Sequence, residues 1–348
     1  MKNYKENADF LYLGKALVAW FHIHGRDLPF RKTSDPYKVW ICEIIFQQTR
    51  IQQGLNHYYK FTERFPDVRT LAEAEADEVM LYWKGLGYYS RALNLQKAAR
   101  QIMADFGGVF PSQYQDILSL SGVGPYTAAA VSSICFGMHI PAVDGNFYRV
   151  LSRVFADGTD ISHSSSFTYF SELALRVMPP GEAGTFNEAV MDLGSEICRP
   201  RNPLCDQCPL QRDCRAFQLG RIADFPVRKK KTVVKELKLK YYFVRFGNEI
   251  LIRRRSEDHI WKKLYEFPDE LPTNYRPVVM EANTVYHKLS HRNLSIDFVD
   301  VFPENRKEFE ELASTGGYQI VSLQGSLLYS FPKPLENYIG LQAGRALS

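Results

Sequence analysis

The fold is decided by Leu120-Ser-Gly-Val-Gly124, a motif that is followed by Pro125 and an apolar segment. Gly122 and Gly124 predict a tight turn after a short helix, and Pro125 predicts the first turn of the next helix. Such a turn presents backbone N–H groups to an anion, aided by the positive end of the helix. We therefore interpret Gly122 and Gly124 as candidate phosphate-binding residues.

Asp144 lies twenty residues beyond Gly124, within Val143-Asp-Gly-Asn146 and just ahead of a predicted helix over 147–155. An aspartate before a helix is a common N-cap, and this is the ordinary explanation of the residue. Beside a turn that grips phosphate, the same carboxylate would instead face a sugar. The residues alone favour the cap, and the two roles can coexist.

Length and composition predict a soluble protein of two domains. The chain has 348 residues, which is too many for one typical core. Its net charge of +4 permits a nucleic-acid partner without arguing for one. Met1–Phe10 lacks the apolar core of a signal peptide, and the longest apolar patch, Thr127–Met138, is too short to cross a bilayer. We expect a soluble protein of the cytosolic or nuclear type.

The first two-thirds of the chain is predicted to be all-helical, with one of its helices running continuously over 70–84. A basic linker at 226–233 then breaks the helical pattern. Beyond it, Tyr241–Phe246 and Glu249–Arg253 are rich in β-forming residues, and Gly247-Asn248 between them predicts a hairpin. The C-terminal third is therefore predicted to be an α+β domain.

Four of the six cysteines lie close together with the spacing C-x₆-C-x₂-C-x₅-C: Cys198, Cys205, Cys208 and Cys214. Four thiolates on one loop suit either tetrahedral Zn²⁺ or a [4Fe–4S] cluster. Two disulfides are a third alternative, which a reducing compartment disfavours. Structural zinc more often uses two C-x₂-C pairs, and only one such pair is present here. The spacing therefore favours an iron–sulfur cluster over zinc.

Glu43 is a carboxylate in an apolar stretch, Ile41-Cys42-Glu43-Ile44-Ile45. Burial would raise its pKa and keep a proton available for general acid catalysis. The alternative is an exposed or structurally paired glutamate. We favour the role of general acid, because burial of a carboxylate in an apolar stretch is costly and indicates a function.

Together, the hairpin, Asp144, the four-cysteine loop and the helical frame resemble the helix-hairpin-helix DNA glycosylases of the endonuclease III superfamily. Within that superfamily the chain resembles the MutY-type adenine DNA glycosylases, which remove adenine mispaired with 8-oxoguanine. Four motifs carry this closer resemblance: 43–49 (EIIFQQT), 85–92 (GLGYYSRA), 143–146 (VDGN) and 186–189 (FNEA).

The resemblance implies a multi-domain α and α+β protein, with a [4Fe–4S] cluster held by the four cysteines of the loop. Its implied parts are an all-helical glycosylase region over 1–225 (a six-helix module at about 30–136 and a cluster module at about 8–29 plus 137–225), a linker over 226–233, and a Nudix-like 8-oxoguanine recognition domain over 234–348.

Hydrolysis of an N-glycosidic bond needs a proton for the leaving base and stabilisation of a cationic sugar. The resemblance assigns the proton for adenine N7 to Glu43 and the sugar to Asp144, with Asn146 orienting the site. Bifunctional relatives have a lysine at position 126, whose amine forms a Schiff base with the sugar. Because Tyr126 stands there, we predict a monofunctional enzyme that uses water. The resemblance also implies that the tyrosine hydroxyl bonds near Asp144.

A base inside the duplex must be extruded before it can react, and the gap is then filled. The resemblance assigns Gln48 and Tyr88 to a wedge in the base stack, and Arg31 and Glu188 to the edge of the adenine. The alternative for Tyr88 is core packing, although Gly85 and Gly87 suggest a loop. The alternative for Arg31 and Glu188 is ordinary surface charge.

In the second domain, the resemblance implies that Ser290 and His291 contact 8-oxoguanine, while Leu289 replaces the phenylalanine common in the family. The glutamate-rich helix with which a Nudix hydrolase holds Mg²⁺ is missing after Pro268. We therefore predict that this domain does not hydrolyse nucleotides.

Three alternatives share parts of this sequence. A thymine glycosylase acting on T:G mismatches has the helical scaffold, but Glu43 and the second domain argue against it. A non-catalytic iron–sulfur DNA-binding protein needs neither Glu43 nor Asp144. An endonuclease III-like lyase is disfavoured by Tyr126. The expected partner is double-stranded DNA carrying A:8-oxoguanine or A:G mispairs, bound by a monomer. The expected location is the bacterial cytoplasm, in association with the nucleoid.

Overall fold

The structure, a computed structural model, describes residues 10–229, 234–256, 260–272, 275, 282–289 and 292–345. It divides the chain into two compact units, Met1–Glu73 with Asn94–Lys231 and Ala74–Leu93 with Thr232–Ser348. Each unit is thus formed by two separate stretches of sequence. The domain and module boundaries given above stay a prediction.

The α-helices of the described residues are α1 (Leu11–His24), α2 (Pro36–Phe46), α3 (Ile51–Arg64), α4 (Val68–Glu73), α5 (Ala76–Tyr82), α6 (Ser90–Asp105), α7 (Tyr114–Ser119), α8 (Pro125–Phe136), α9 (Gly145–Phe155), α10 (Ser165–Leu175), α11 (Ala183–Asp192), α12 (Arg215–Gln218), α13 (Arg306–Gly316) and α14 (Lys333–Arg345). The strands are β1 (Lys235–Phe246), β2 (Glu249–Arg254), β3 (Tyr265–Glu266), β4 (Asn283–Lys288), β5 (Arg292–Val301) and β6 (Gln319–Ser322). An all-helical region followed by an α+β region agrees with the sequence prediction.

The segment over 70–84 is not one helix, and that prediction is wrong. Helix α4 ends at Glu73 and helix α5 begins at Ala76, because Glu75 between them has an extended backbone (φ −69°, ψ 139°). This conformation interrupts the hydrogen bonds from residue i to residue i−4. Apolar residues on both sides of the interruption are buried, so their periodicity does not reveal it. The interruption coincides with the boundary between the two units.

The core of the first unit is formed largely by helices α1, α9, α10 and α11. Their large apolar side chains are buried against one another: Leu17, Phe147, Phe170, Phe186 and Val190. Full burial of a side chain of this size contributes about 1.5–3 kcal/mol. This packing fixes the start of helix α9, immediately after Asp144.

Helix α2 is apolar on most sides, as its sequence predicts. Trp40, Ile41 and Ile45 are fully buried. The Asp35 carboxylate caps the helix by accepting a hydrogen bond from the Tyr37 N–H at 3.0 Å. Burial on these sides leaves the Glu43 position facing a pocket of the first unit.

The second unit contains a mixed sheet in the order β3-β2-β1-β5-β4, with β6 paired to β2. Strands β1 and β5 are parallel, with Leu237 opposite Leu294, and the other pairs are antiparallel. The predicted hairpin at Gly247-Asn248 is confirmed, because Phe246 pairs with Glu249 across the turn. Helix α14 packs against this sheet through Tyr338, which shares a core with Phe298.

Among the described residues, no helix is both long and apolar enough to cross a membrane.

Candidate active site

Glu43 and Tyr126 meet at the wall of a pocket of about 960 Å³ in the first unit. The Tyr126 hydroxyl donates a hydrogen bond to Glu43 Oε2 at 2.8 Å and lies 3.5 Å from the Met191 sulfur. The resemblance implied a bond near Asp144, whereas the structure gives Glu43 as the partner. The reason is tertiary: Tyr126 lies in the first turn of helix α8, which packs against helix α2.

Glu43 has a carboxyl group that titrates near neutral pH. Removal of this carboxyl from water raises its pKa to about 7, and the negative charges of Glu188 and Asp144 act in the same direction. The hydrogen bond from Tyr126 and the positive charge of Arg31 act in the opposite direction. At pH 7, about half of such carboxyls carry a proton. The group is therefore suited to general acid catalysis.

Asp144 caps helix α9 and also lines the pocket. Its Oδ1 accepts hydrogen bonds from the backbone N–H groups of Asn146 at 2.8 Å and Phe147 at 2.9 Å. Its Oδ2 accepts one from the Asn146 side-chain amide at 2.8 Å. Burial raises the pKa of Asp144, while these three bonds favour the carboxylate form. The Asp144 carboxylate therefore caps the helix and faces the pocket at the same time.

Arg149 connects the Asp144 turn to the cysteine loop, and the sequence analysis missed it. Its Nη2 donates to Asn146 Oδ1 at 2.6 Å and to the Gly194 carbonyl at 2.8 Å, while its Nε donates to the Cys198 carbonyl at 2.7 Å. The bond to Asn146 Oδ1 leaves the amide nitrogen facing Asp144. Helical spacing was the available signal, because residues three apart lie on one helix face.

Asp192 organises a second polar group in the pocket and was also missed. Its side chain is 1% exposed and accepts three hydrogen bonds from Arg26, one from the backbone N–H at 2.8 Å and two from the guanidinium at 2.9 and 2.6 Å. It accepts two more from Arg31, at 2.8 and 2.7 Å. Arg31 Nε lies 3.2 Å from Glu188 Oε1, so the structure brings these two predicted residues together. Burial opposes ionisation of Asp192, but the hydrogen bonds from both arginines outweigh it and lower the pKa.

Gln48 lines the same pocket with a left-handed backbone (φ 58°) and an exposed side chain. The hairpin glycines lie between helices α7 and α8. Gly122 has φ 75°, and a Cβ added there would stand 2.6 Å from the Asn94 Cβ, so the turn requires glycine. Gly124 is the N-cap of helix α8 and has an extended backbone (φ −97°) that other residues can adopt.

Tyr88 belongs to the second unit, where its backbone is left-handed (φ 47°) and its side chain is 47% exposed. This exposure contradicts core packing as an explanation of the residue. Ser290 and His291 lie outside the described residues.

The four cysteines of the loop line a separate cavity of the first unit, together with apolar side chains that include Val150 and Leu193. All four are free cysteines in this structure. Arg153 Nη1 donates to Cys198 Sγ at 3.3 Å. Among the described residues, no three His, Cys, Asp or Glu side chains stand close enough to hold one metal ion. A [4Fe–4S] cluster takes one thiolate per iron, and four thiols around one apolar cavity fit that group.

Residues 41–174 match the HhH-GPD superfamily of base excision DNA repair proteins, and residues 241–341 match the NUDIX domain. An adenine DNA glycosylase of Buchnera aphidicola (subspecies Schizaphis graminum) is 32% identical over 93% of this chain and 96% of its own length. The chain belongs to the adenine DNA glycosylase family. The resemblance and the fold class inferred from the sequence are thereby confirmed.

Three further comparisons cover about three-fifths of the chain each. The human adenine DNA glycosylase is 38% identical over 62% of this chain and 41% of its own length. A solved thermostable thymine-DNA glycosylase is 31% identical and covers 60% of this chain and 96% of its own, with a TM-score of 0.56. An endonuclease III–DNA complex, 21% identical with a TM-score of 0.52, covers 60% of this chain and 95% of its own and shares the fold.

Proposed function

We propose that this chain is a monofunctional DNA glycosylase of base excision repair, which hydrolyses the N-glycosidic bond of adenine mispaired with 8-oxoguanine or guanine. The observation that carries the proposal is the pocket in which Glu43, with a pKa of about 7, lies with Tyr126 and Asp144. The names of the Buchnera and human relatives, both adenine DNA glycosylases, support adenine as the leaving base.

Glu43 is the general acid of this mechanism. Adenine is a poor leaving group until N7 accepts a proton, and a carboxyl with a pKa near neutrality can deliver one at physiological pH. The proton moves from Glu43 to adenine N7 as the glycosidic bond breaks. Tyr126 fixes the orientation of the carboxyl through the 2.8 Å hydrogen bond to Oε2.

Asp144 stabilises the positive charge that develops on the sugar. Its oxygens are held by the Asn146 and Phe147 donors, so the carboxylate does not need to reorganise as the charge appears. Water then adds to the sugar and leaves an abasic site. Asn146 acts as a positioning residue, because its own amide is fixed by Arg149.

The reaction stops at the abasic site because position 126 carries no amine. Burial raises the pKa of Tyr126 well above its ordinary value, and the neighbouring charge of Glu43 adds to this effect. A phenol held neutral in this way is a poor nucleophile towards the sugar. The strand is therefore cut only by later treatment with alkali.

Arg31 and Glu188 bind the edge of the extruded adenine. The Glu188 carboxylate accepts a hydrogen bond from the exocyclic amine, as carboxylates do when they recognise base amino groups. Arg31 is held against Glu188 by its two hydrogen bonds to Asp192. A base without that amine would leave the Glu188 carboxylate without its partner.

Double-stranded DNA is bound through the remaining predicted residues. Backbone N–H groups around Gly122 and Gly124 bind phosphate at the start of helix α8. Gln48 and Tyr88 enter the base stack, for which their exposed side chains are suited. The NUDIX match over 241–341 supports a C-terminal domain that recognises 8-oxoguanine, with Ser290 and His291 as its predicted contacts.

The four cysteines hold a [4Fe–4S] cluster in this proposal, supported by their shared apolar cavity. Cys198, Cys205, Cys208 and Cys214 would hold the cluster and thereby cross-link the loop. Arg149 and Arg153 contact the Cys198 end of this loop. A visible absorbance band that disappears when the cysteines are replaced would test iron against zinc. A colourless protein containing zinc would contradict the cluster.

One assay tests the proposed reaction. The protein is incubated with duplexes carrying A:8-oxoguanine, A:G or T:G, and abasic sites are read with and without alkali. Adenine release from A:8-oxoguanine, with strand breaks only after alkali, is expected. Release of thymine from T:G instead would favour the alternative of a thymine glycosylase. Strand cleavage without alkali would contradict the monofunctional mechanism.

A further inference from the structure

Residues 74–93 match the glycosylase family in sequence but pack with the C-terminal stretch of the chain. They contain helix α5 and the loop that presents Tyr88. The chain enters this segment at the extended Glu75 and leaves it within helix α6. The loop of Tyr88 is therefore part of the same compact unit as the NUDIX-like domain.

The first attachment of this segment is Asp77, in the first turn of helix α5. Arg254 Nη2 lies 2.8 Å from Asp77 Oδ1, and the Tyr265 hydroxyl donates to Asp77 Oδ2 at 3.0 Å. Arg254 and Tyr265 are directly opposite one another on strands β2 and β3. One carboxylate is thus held at both oxygens by a cross-strand pair of the sheet. Such two-point contacts fix direction as well as distance.

The second attachment is Lys84, just beyond the end of helix α5. Its Nζ lies 3.2 Å from Glu336 Oε1 on helix α14. The two side chains are 19% and 26% exposed, so the pair is more shielded from solvent than a typical surface ion pair. Asp77 and Lys84 therefore fasten helix α5 to the C-terminal domain on both sides.

The Tyr88 loop follows Lys84 directly and has a fixed conformation. Gly85, Gly87 and Tyr88 all have left-handed backbones, at φ 94°, 68° and 47°. The Arg91 guanidinium stands 5.3 Å from the centre of the Trp83 ring and 5.7 Å from that of Tyr88. It also donates to the carbonyl of Gly87 at 3.3 Å. Arg91 thus contacts the exposed Tyr88 ring and the backbone of its loop.

We propose that Asp77 and Lys84 are positioning residues through which the C-terminal domain fixes Tyr88 for insertion into the base stack. The inference rests on the proposed function, which makes Tyr88 a wedge and the C-terminal domain the reader of 8-oxoguanine. Because both belong to one unit, recognition of 8-oxoguanine and insertion of the wedge occur as one event. The competing explanation is that the two ion pairs only stabilise the fold.

The experiment measures binding by the full chain to two duplexes, one with A:8-oxoguanine and one undamaged. All variants carry Glu43→Gln, so that the substrate stays intact. Asp77→Ala with Lys84→Ala is expected to weaken the A:8-oxoguanine complex about tenfold. Binding to the undamaged duplex and the melting temperature should change little. Arg306→Ala, which breaks the pairs of Arg306 with Glu249 and Glu310 in the same unit, is the control and should change neither affinity.

Dependence on Tyr88 distinguishes positioning from general stability. In a Tyr88→Ala background, the two alanine substitutions should cause no further loss of affinity, since their effect passes through the tyrosine. The exchange Asp77→Arg with Arg254→Asp should recover most of the loss that Asp77→Ala causes. With 2-aminopurine beside the 8-oxoguanine, the wild-type tyrosine should change the fluorescence on binding, and the double alanine variant should not.

An equal loss with and without Tyr88, or an equal loss on both duplexes, would overturn the positioning role. An unchanged affinity of the double variant for the A:8-oxoguanine duplex would do the same. Failure of the proposed function has a different signature, because the unsubstituted protein would then release no adenine and prefer neither duplex.

Discussion

The Tyr126 hydroxyl and the Glu43 carboxyl are joined by a 2.8 Å hydrogen bond that links helix α8 to helix α2. The bond favours the ionised carboxyl, so it lowers a pKa that burial has raised. Tyr126→Phe should therefore raise the pKa of Glu43 and move the alkaline limb of the pH–rate profile to higher pH. Single-turnover adenine release measured from about pH 5 to about pH 9 tests this. An unchanged limb would mean that the bond does not tune Glu43.

Glu43→Gln should abolish adenine release, because glutamine has no proton to transfer to the base. Binding to a duplex with A:8-oxoguanine should persist, since the side chain keeps its size. Release is measured under single turnover, and binding by a gel shift with the same duplex. Full activity of the variant would remove Glu43 from the acid role.

The same substitution should change stability in a pH-dependent way. Burial raises the pKa of Glu43 to about 7, so ionisation of the folded protein becomes costly as pH rises above the unfolded pKa. At about pH 8, Glu43→Gln should therefore increase the free energy of unfolding by roughly 3 kcal/mol. Near about pH 4 the gain should vanish, because the carboxyl is then protonated in both states. Urea unfolding at the two pH values measures it.

Asp144→Asn and Asp144→Ala should separate the two roles of this residue. Asparagine caps a helix about as well as aspartate, whereas alanine costs about 1 kcal/mol. Both variants lose the negative charge opposite the sugar, so both should lose adenine release. The asparagine variant should thus lose adenine release but keep its melting temperature. The alanine variant should lose adenine release and also melt at a lower temperature. An active asparagine variant would contradict the electrostatic role.

Asp192→Asn should destabilise the protein, because it leaves Arg26 and Arg31 beside a neutral group in a buried position. Breaking a buried pair of this kind costs about 3 kcal/mol. Hydrogen bonds from the arginines hold the pKa of Asp192 below its usual value. The stabilisation of the folded protein by Asp192 is therefore fully present above the pKa of the unfolded chain. It should be lost as pH falls below about 4. Unfolding of both proteins across that range is the measurement, and a constant difference would contradict it.

Much of the pocket follows from local sequence. Glu43 is identified by the apolar residues around it, and Asp144 by its place before helix α9. Both signals are local because a helix face and a helix cap are set within a few residues. The spacing of the four cysteines is local in the same sense, and the structure brings them to one cavity.

Contacts between distant elements are what the sequence does not reveal. Asp192 lies 161 positions from Arg31, and Tyr126 lies 83 positions from Glu43. Each of these residues would be unremarkable on its own helix, since only the packing of helices creates the pair. The sequence also does not reveal the break at Glu75, because its extended backbone interrupts the helix without changing the apolar periodicity.

The chain crosses between its two units at residues 73–74, 93–94 and 231–232. A single cut in the predicted linker at 226–233 would therefore not release a free C-terminal domain. Residues 74–93 would belong to the N-terminal fragment but would still pack with the C-terminal fragment, so non-covalent contacts would hold the two fragments together. A truncation that ends near residue 225 would strip helix α5 of the sheet that holds Asp77. Limited proteolysis should thus yield a nicked but associated protein, and shortened versions for crystallography should keep both stretches.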